Sequence, residues 1–125
     1  MKIKKKEKKI RVIIIGAGKI GREYLKIFNK KKKFHIAAIL ATSYKNFKEI
    51  NKITKEKIFT TDNNIFNKQK FDLAIIATPV DKTYKITIEV MQHVKTLLVE
   101  KPPALSSKGA FKLYKLSKLN KNNVF

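Results

Sequence analysis

Arg11-Val12-Ile13-Ile14-Ile15-Gly16-Ala17-Gly18-Lys19-Ile20-Gly21 decides how the chain is read. Val12 to Ile15 form an unbroken apolar run, which breaks into glycines spaced G-x-G-x-x-G and then passes into helix-like sequence. The stretch therefore reads as strand, tight turn and helix. In a dinucleotide-binding unit each glycine has its own duty: Gly16 makes the turn, Gly18 lets the backbone approach a pyrophosphate, and Gly21 allows close helix-to-sheet packing. The phosphates would face free amide N–H groups and the positive dipole end of a helix starting near Lys19 and Ile20. Ile20, Tyr24, Ile27 and Phe28 fall at i, i+4, i+7 and i+8 and are the expected buried face of that helix.

Composition narrows the remaining classes. With 125 residues, 43% of them hydrophobic, the chain has the size and apolar content of one ordinary domain. No apolar run approaches the roughly 20 residues that span a bilayer, and the start of the chain lacks the apolar core of a secretory signal, so a cytoplasmic protein without membrane association is expected. There is no cysteine, which removes disulfides, thiolate catalysis and Cys-ligated metals together. His35 and His93 lack the carboxylate spacing of a metal site, so no metal is expected, and both are read as structural or surface groups. The net charge of +21 would attract nucleic acid or anionic lipid non-specifically. Yet Arg11 and Arg22 are the only arginines, and the lysines are spread from end to end rather than interleaved with aromatics, so they read as a solvated surface and no specific nucleic-acid partner is expected. Residues 1–10 read as a basic, flexible segment and residues 11–125 as the domain.

Outward from the glycine turn, strands and helices alternate. A cationic turn, Asn29 to Lys33, closes the first helix; Phe34 to Leu40 is a strand, Asn46 to Ile53 a short helix, Lys57 to Thr60 a weak strand, and Asp62-Asn63-Asn64 cap a single turn through Phe66. Phe71 to Pro79 is an almost wholly apolar strand of the kind covered on both faces. Lys82 to Val94 is assigned as a helix with Asp81 at its N-cap, because a parallel strand pair needs a crossover. Thr96 to Val99 is the next strand; Ser106 or Ser107 caps a last helix carrying Phe111, Leu113, Tyr114 and Leu116; and Asn123 to Phe125 begins a strand. This order predicts a doubly wound, mainly parallel α/β sheet of the Rossmann type, with helices on both faces.

Gly16-Ala17-Gly18-Lys19-Ile20-Gly21, Ala77-Thr78-Pro79 and Glu100-Lys101-Pro102, in this order and at these separations, resemble the amino-terminal domain of the Gfo/Idh/MocA family, the relatives of glucose-fructose oxidoreductase and inositol dehydrogenase. The likeness runs from about Arg11 to Phe125 and implies an NAD(P)-dependent oxidoreductase moving a hydride between a nicotinamide cofactor and a sugar, cyclitol or similar polyol. By that likeness Ala77, Thr78 and Pro79 border the nicotinamide ribose, Glu100 contacts the nicotinamide side, and Lys101 is the catalytic residue at the substrate hydroxyl. Ligands of open α/β sheets bind outside the carboxyl ends of the strands, where all three motifs fall. A lysine desolvated there would suit proton transfer.

The sequence departs from the family pattern in two places. An acidic residue about 20 positions beyond the glycines, which would hold the ribose 2′-hydroxyl, is missing; Ala41 stands there, followed by Thr42, Ser43 and Lys45. Hydroxyls and a positive charge suit a 2′-phosphate, so NADP is favoured over NAD. The substrate domain that family members carry after this one is not in the sequence. The chain is accordingly expected to be a fragment, to bind nucleotide with little or no turnover, and to form an oligomer only together with that missing domain. A non-catalytic dinucleotide-binding module and a basic nucleic-acid-binding protein are the alternatives.

Overall fold

The structure, a computed structural model, describes residues 7–125. Eleven elements follow one another: β1 (Ile10–Ile15), α1 (Lys19–Asn29), β2 (Phe34–Leu40), α2 (Phe47–Ile53), β3 (Phe59–Thr60), α3 (Ile65–Lys68), β4 (Leu73–Ile76), α4 (Val80–Met91), β5 (Thr96–Val99), α5 (Ser107–Asn120) and β6 (Asn123–Val124). The six strands form one sheet in the order β3-β2-β1-β4-β5-β6, and every neighbouring pair is parallel. The chain thus builds outward from β1 in one direction, then returns to β1's other side and builds the opposite way. Between β1 and β4 the winding reverses, which is where an open α/β sheet leaves a crevice at its carboxyl edge.

The apolar runs supply both faces of this sheet. Ile13, Ile15, Ala74 and Ile76 pack with Val90 and Met91 of α4 and Leu113 of α5, while Val12, Ile14 and Ile75 pack with Leu25 of α1 and Ile50 of α2. Alternating strand residues therefore feed two separate cores, as expected for parallel strands covered on both sides. Asn122 ties the end of α5 to the turn before β5 by donating from Nδ2 to the Met91 and Val94 carbonyls at 3.1 and 2.9 Å.

Several boundaries and faces differ from the sequence expectation. On α1, Ile20 and Ile27 are 47% and 50% exposed, and the inward face is Gly21, Tyr24, Leu25 and Phe28 instead. The reason lies at Gly21, where a Cβ would stand 1.9 Å from the Gly16 carbonyl oxygen: the helix is turned so that its glycine touches the turn. α4 starts at Val80 with Pro79 as its N-cap, so Asp81 sits in the first turn and caps nothing. β4 is confined to Leu73–Ile76, and Ala77 to Pro79 form its exit loop. Ser106 rather than Ser107 caps α5, its Oγ accepting from the Gly109 N–H at 3.1 Å. Leu113 and Leu116 face inward, but Phe111 and Tyr114 are more than half exposed and stack on one another. Of the basic segment 1–10, residues 1–6 lie outside the described residues, and Ile10 already belongs to β1, donating its N–H to the Lys33 carbonyl at 2.9 Å.

Candidate functional site

The site begins at the turn between β1 and α1. Gly16 has φ +110°, a conformation side chains oppose, and a Cβ on it would meet the Ala77 carbonyl oxygen at 2.3 Å. Its N–H donates to the Leu40 carbonyl at 2.9 Å, so the turn is tied to the exit of β2 and pressed against that of β4. Gly18 occupies the N-cap position of α1 without a side-chain cap, and the first helical turn carries no acidic residue. Its amides are open to an acceptor from outside the chain. A Cβ on Gly18 would meet nothing within 4 Å. The first and third glycines are thus closed against backbone, while the middle one borders open space.

Two further loops flank this turn. The Ala77 N–H donates to the Ile15 carbonyl at 2.8 Å, which fixes the β4 exit loop to the end of β1. The Thr78 hydroxyl lies 3.0 Å from that of Thr83, a residue only 1% exposed whose Oγ1 also reaches the Pro79 carbonyl at 3.1 Å. On the other side the β2 exit places Thr42, Ser43 and Lys45, all exposed, with the Ala41 N–H bonded to the Thr60 carbonyl at 3.0 Å.

These loops enclose a cleft of about 620 Å³, well inside the size range of small-molecule sites. Gly16, Gly18, Lys19, Ile20, Thr42, Ser43, Lys45, Ala77, Thr78 and Pro79 line it. Gly21 lies beneath the turn rather than on the wall, consistent with a packing duty. Lys82, Ile86, Glu89 and His93 of α4 and the following turn also line the cleft, together with Asn63 and Phe66. The sequence gives none of these a place in the site; His93, read there as a structural or surface group, stacks on Phe66 with ring centres 5.1 Å apart. Once α4 is known to start at Val80, the four α4-side residues fall at i, i+4, i+7 and i+11, one stripe of a helix.

Glu100 and Lys101 follow β5 on the same edge of the sheet, because β1, β4 and β5 are adjacent and parallel. They do not line the cleft. The Glu100 N–H donates to the Ile76 carbonyl at 3.1 Å, and its carboxylate Oε1 accepts a hydrogen bond from the Tyr24 hydroxyl of α1. That hydrogen bond, then burial, then the nearby negative charge push the Tyr24 phenol up to about 12. Lys101 is exposed, so the described residues do not provide the desolvated setting the sequence reading gave it. Among the described residues no group of three or more metal-binding side chains comes together, and no helix is long and apolar enough to cross a membrane.

Strand order, the closed–open–closed glycine turn and the cleft at the winding reversal define a dinucleotide-binding Rossmann domain. The chain belongs to the Gfo/Idh/MocA family: residues 10–125 match the profile described as "Oxidoreductase family, NAD-binding Rossmann fold". Solved structures with the same fold include myo-inositol 2-dehydrogenase from Lactobacillus plantarum (22% identity, TM-score 0.80, 94% of this chain and 35% of that one). The WlbA dehydrogenase from Chromobacterium violaceum, solved with NADH and UDP-GlcNAcA, is 18% identical with a TM-score of 0.81 over 94% of this chain and 34% of its own. GenD2 from gentamicin A biosynthesis, in complex with NAD, is 17% identical with a TM-score of 0.83 over 93% of this chain and 33% of its own. The chain spans about a third of the length of these proteins. No curated protein sequence matches it.

Proposed function

We propose that the cleft holds NADP(H) or NAD(H), with the pyrophosphate over Gly18 and the amides of Lys19 and Ile20, and that Lys101 handles the hydroxyl proton of a sugar, cyclitol or similar polyol. The observation that carries this reading is the open space at Gly18 beside a helix N-terminus that no side chain of its own caps. The residues fit the group. A turn closed on both sides by Gly16 and Gly21 but open at its centre gives backbone access, and the glycine at Gly18 leaves the open space there to the ligand.

The bound nicotinamide supplies or accepts the hydride. Ala77, Thr78 and Pro79 border its ribose from a loop that Thr83 holds in place. Glu100, which follows β5 on the same edge of the sheet just beyond the cleft lining, would reach the nicotinamide side where the cofactor extends past Pro79. Lys101 gives a proton to the substrate oxygen as a carbonyl is reduced and takes one as an alcohol is oxidised. With Lys101 exposed, this chain alone binds nucleotide and turns over slowly or not at all.

For the adenosine end we favour NADP. The stretch from Ala41 to Lys45 carries no acid to hold a 2′-hydroxyl, whereas Thr42, Ser43 and Lys45 lie on the cleft wall with two hydroxyls and a cation for a 2′-phosphate. Titration with NADPH and NADH tests both levels of this reading. Saturable binding of NADPH with weaker NADH is expected; tighter NADH refutes the preference, and binding of neither refutes the function. In a full-length version with measurable polyol turnover, Lys101→Ala should leave nucleotide affinity near wild type while removing that turnover, and a variant that loses affinity instead contradicts the role given to Lys101.

A further inference from the structure

We propose that Tyr24 is the positioning residue for Glu100, so that α1 serves the site twice, carrying the glycine turn at its start and orienting the Glu100 carboxylate one turn further along. The inference rests on the function proposed above and assigns a residue to it that no motif in the chain names.

The argument starts from what holds Glu100. Its backbone N–H is fixed to β4 through the Ile76 carbonyl, and its side chain is fixed to α1 through the Tyr24 hydroxyl, 76 residues away in sequence. Among the described residues that carboxylate has no other hydrogen bond, so the phenol alone selects its orientation. Tyr24 itself is well placed to do so. It is half-buried beside Phe28 at a ring distance of 6.4 Å, on the inward face of a helix anchored by Gly21 and Leu25. Packing there needs only the ring, and the hydroxyl adds the reach to Glu100.

The choice of partner is informative in a chain of net charge +21. Glu23, Glu49 and Asp62 each take a lysine partner, and Glu56 faces His35. Glu100 has Lys101 next to it in sequence and is held by a neutral phenol instead. A neutral donor fixes the geometry of a carboxylate without cancelling its charge, leaving Oε2 free to accept from the nicotinamide half of the cofactor. The phenol's rise to about 12 means that it stays protonated, and so remains a donor, at any ordinary working pH.

The test compares NADH with ADP-ribose, which lacks the nicotinamide, on wild type, Tyr24→Phe, Glu100→Gln and the double variant. Tyr24→Phe and Glu100→Gln should each weaken NADH by about three- to tenfold, the size of one hydrogen bond, and leave ADP-ribose within about twofold. The double variant should bind NADH no more weakly than Glu100→Gln alone. Unchanged NADH affinity in Tyr24→Phe, equal loss of both ligands, or additive losses in the double variant would overturn the assignment. If wild type binds neither these ligands nor NADPH, the proposed function falls and this inference with it; if wild type binds both and Tyr24→Phe matches it, only this inference falls; and if wild type binds NADPH alone, NADPH and 2′-phospho-ADP-ribose replace the pair with the same expected outcomes. Should Tyr24→Phe not fold, ultraviolet titration of the tyrosines in Glu100→Gln takes its place. The phenol that ionises near pH 12 in wild type should return towards 10, and an unchanged titration would overturn the link.

Discussion

The same methyl group placed on three glycines of one turn should have three different effects. At Gly16 it meets both a positive φ and the Ala77 carbonyl, and at Gly21 the Gly16 carbonyl, so Gly16→Ala and Gly21→Ala should each lose about 1–3 kcal/mol of stability in denaturant unfolding. At Gly18 it enters open space, so Gly18→Ala should unfold with the wild-type midpoint while NADPH binding weakens by about tenfold or more. A destabilised Gly18→Ala, or one with wild-type affinity, would contradict the division of labour argued for the turn. Lys45 offers a second test at this scale. Lys45→Ala should weaken NADPH and leave NADH unchanged, and equal losses would mean that Lys45 acts as general surface charge rather than on a 2′-phosphate.

Among the elements, α1 shows both what the sequence makes legible and what it hides. Its existence and its start at Lys19 follow from the glycine motif, but its buried face does not follow from apolar periodicity. Gly21 has no hydrophobicity to report, yet its contact with Gly16 sets the helix's rotation and leaves Ile20 and Ile27 half exposed. α4 is similar. His93 reads as a structural or surface group in sequence and Lys82 and Glu89 belong to no motif, and it is the crossover over the winding reversal that turns that stripe towards the cleft. The link from Tyr24 to Glu100 could not be read at all, because only the folded sheet brings helix and β5 exit together. That link has a pH signature. Tyr24 titrates near 12 in the fold against 10.0 when free, so its contribution to stability is complete below about pH 10 and is lost as pH rises towards 12. Thermal melts of wild type and Tyr24→Phe should therefore differ most below pH 10 and converge above it; a gap that stays constant would contradict the link. At α5, Ser106→Ala removes the side-chain acceptor for the Gly109 N–H and should cost about 1 kcal/mol, whereas Ser107→Ala should cost little.

At the scale of the whole molecule, fold and charge lead to separate conclusions. The doubly wound parallel sheet was legible because long apolar runs alternate with helical stretches, and the strand order of the fold brings the exits of β1, β4 and β5 to one edge. A net charge of +21 argues about association, not about the cleft. Any binding to duplex DNA should fall steeply between 50 and 200 mM salt, roughly as phosphate contacts are lost, and should not displace NADPH. Backbone amide shift mapping during NADPH titration tests the central claim most directly. The account predicts saturable shifts concentrated at Gly16, Gly18, Lys19, Ile20, Thr42 and Thr78, the turn and loop residues of one cleft. Shifts spread over the lysine surface, or absent at Gly18 and Thr78 when the nucleotide is saturating, would contradict it.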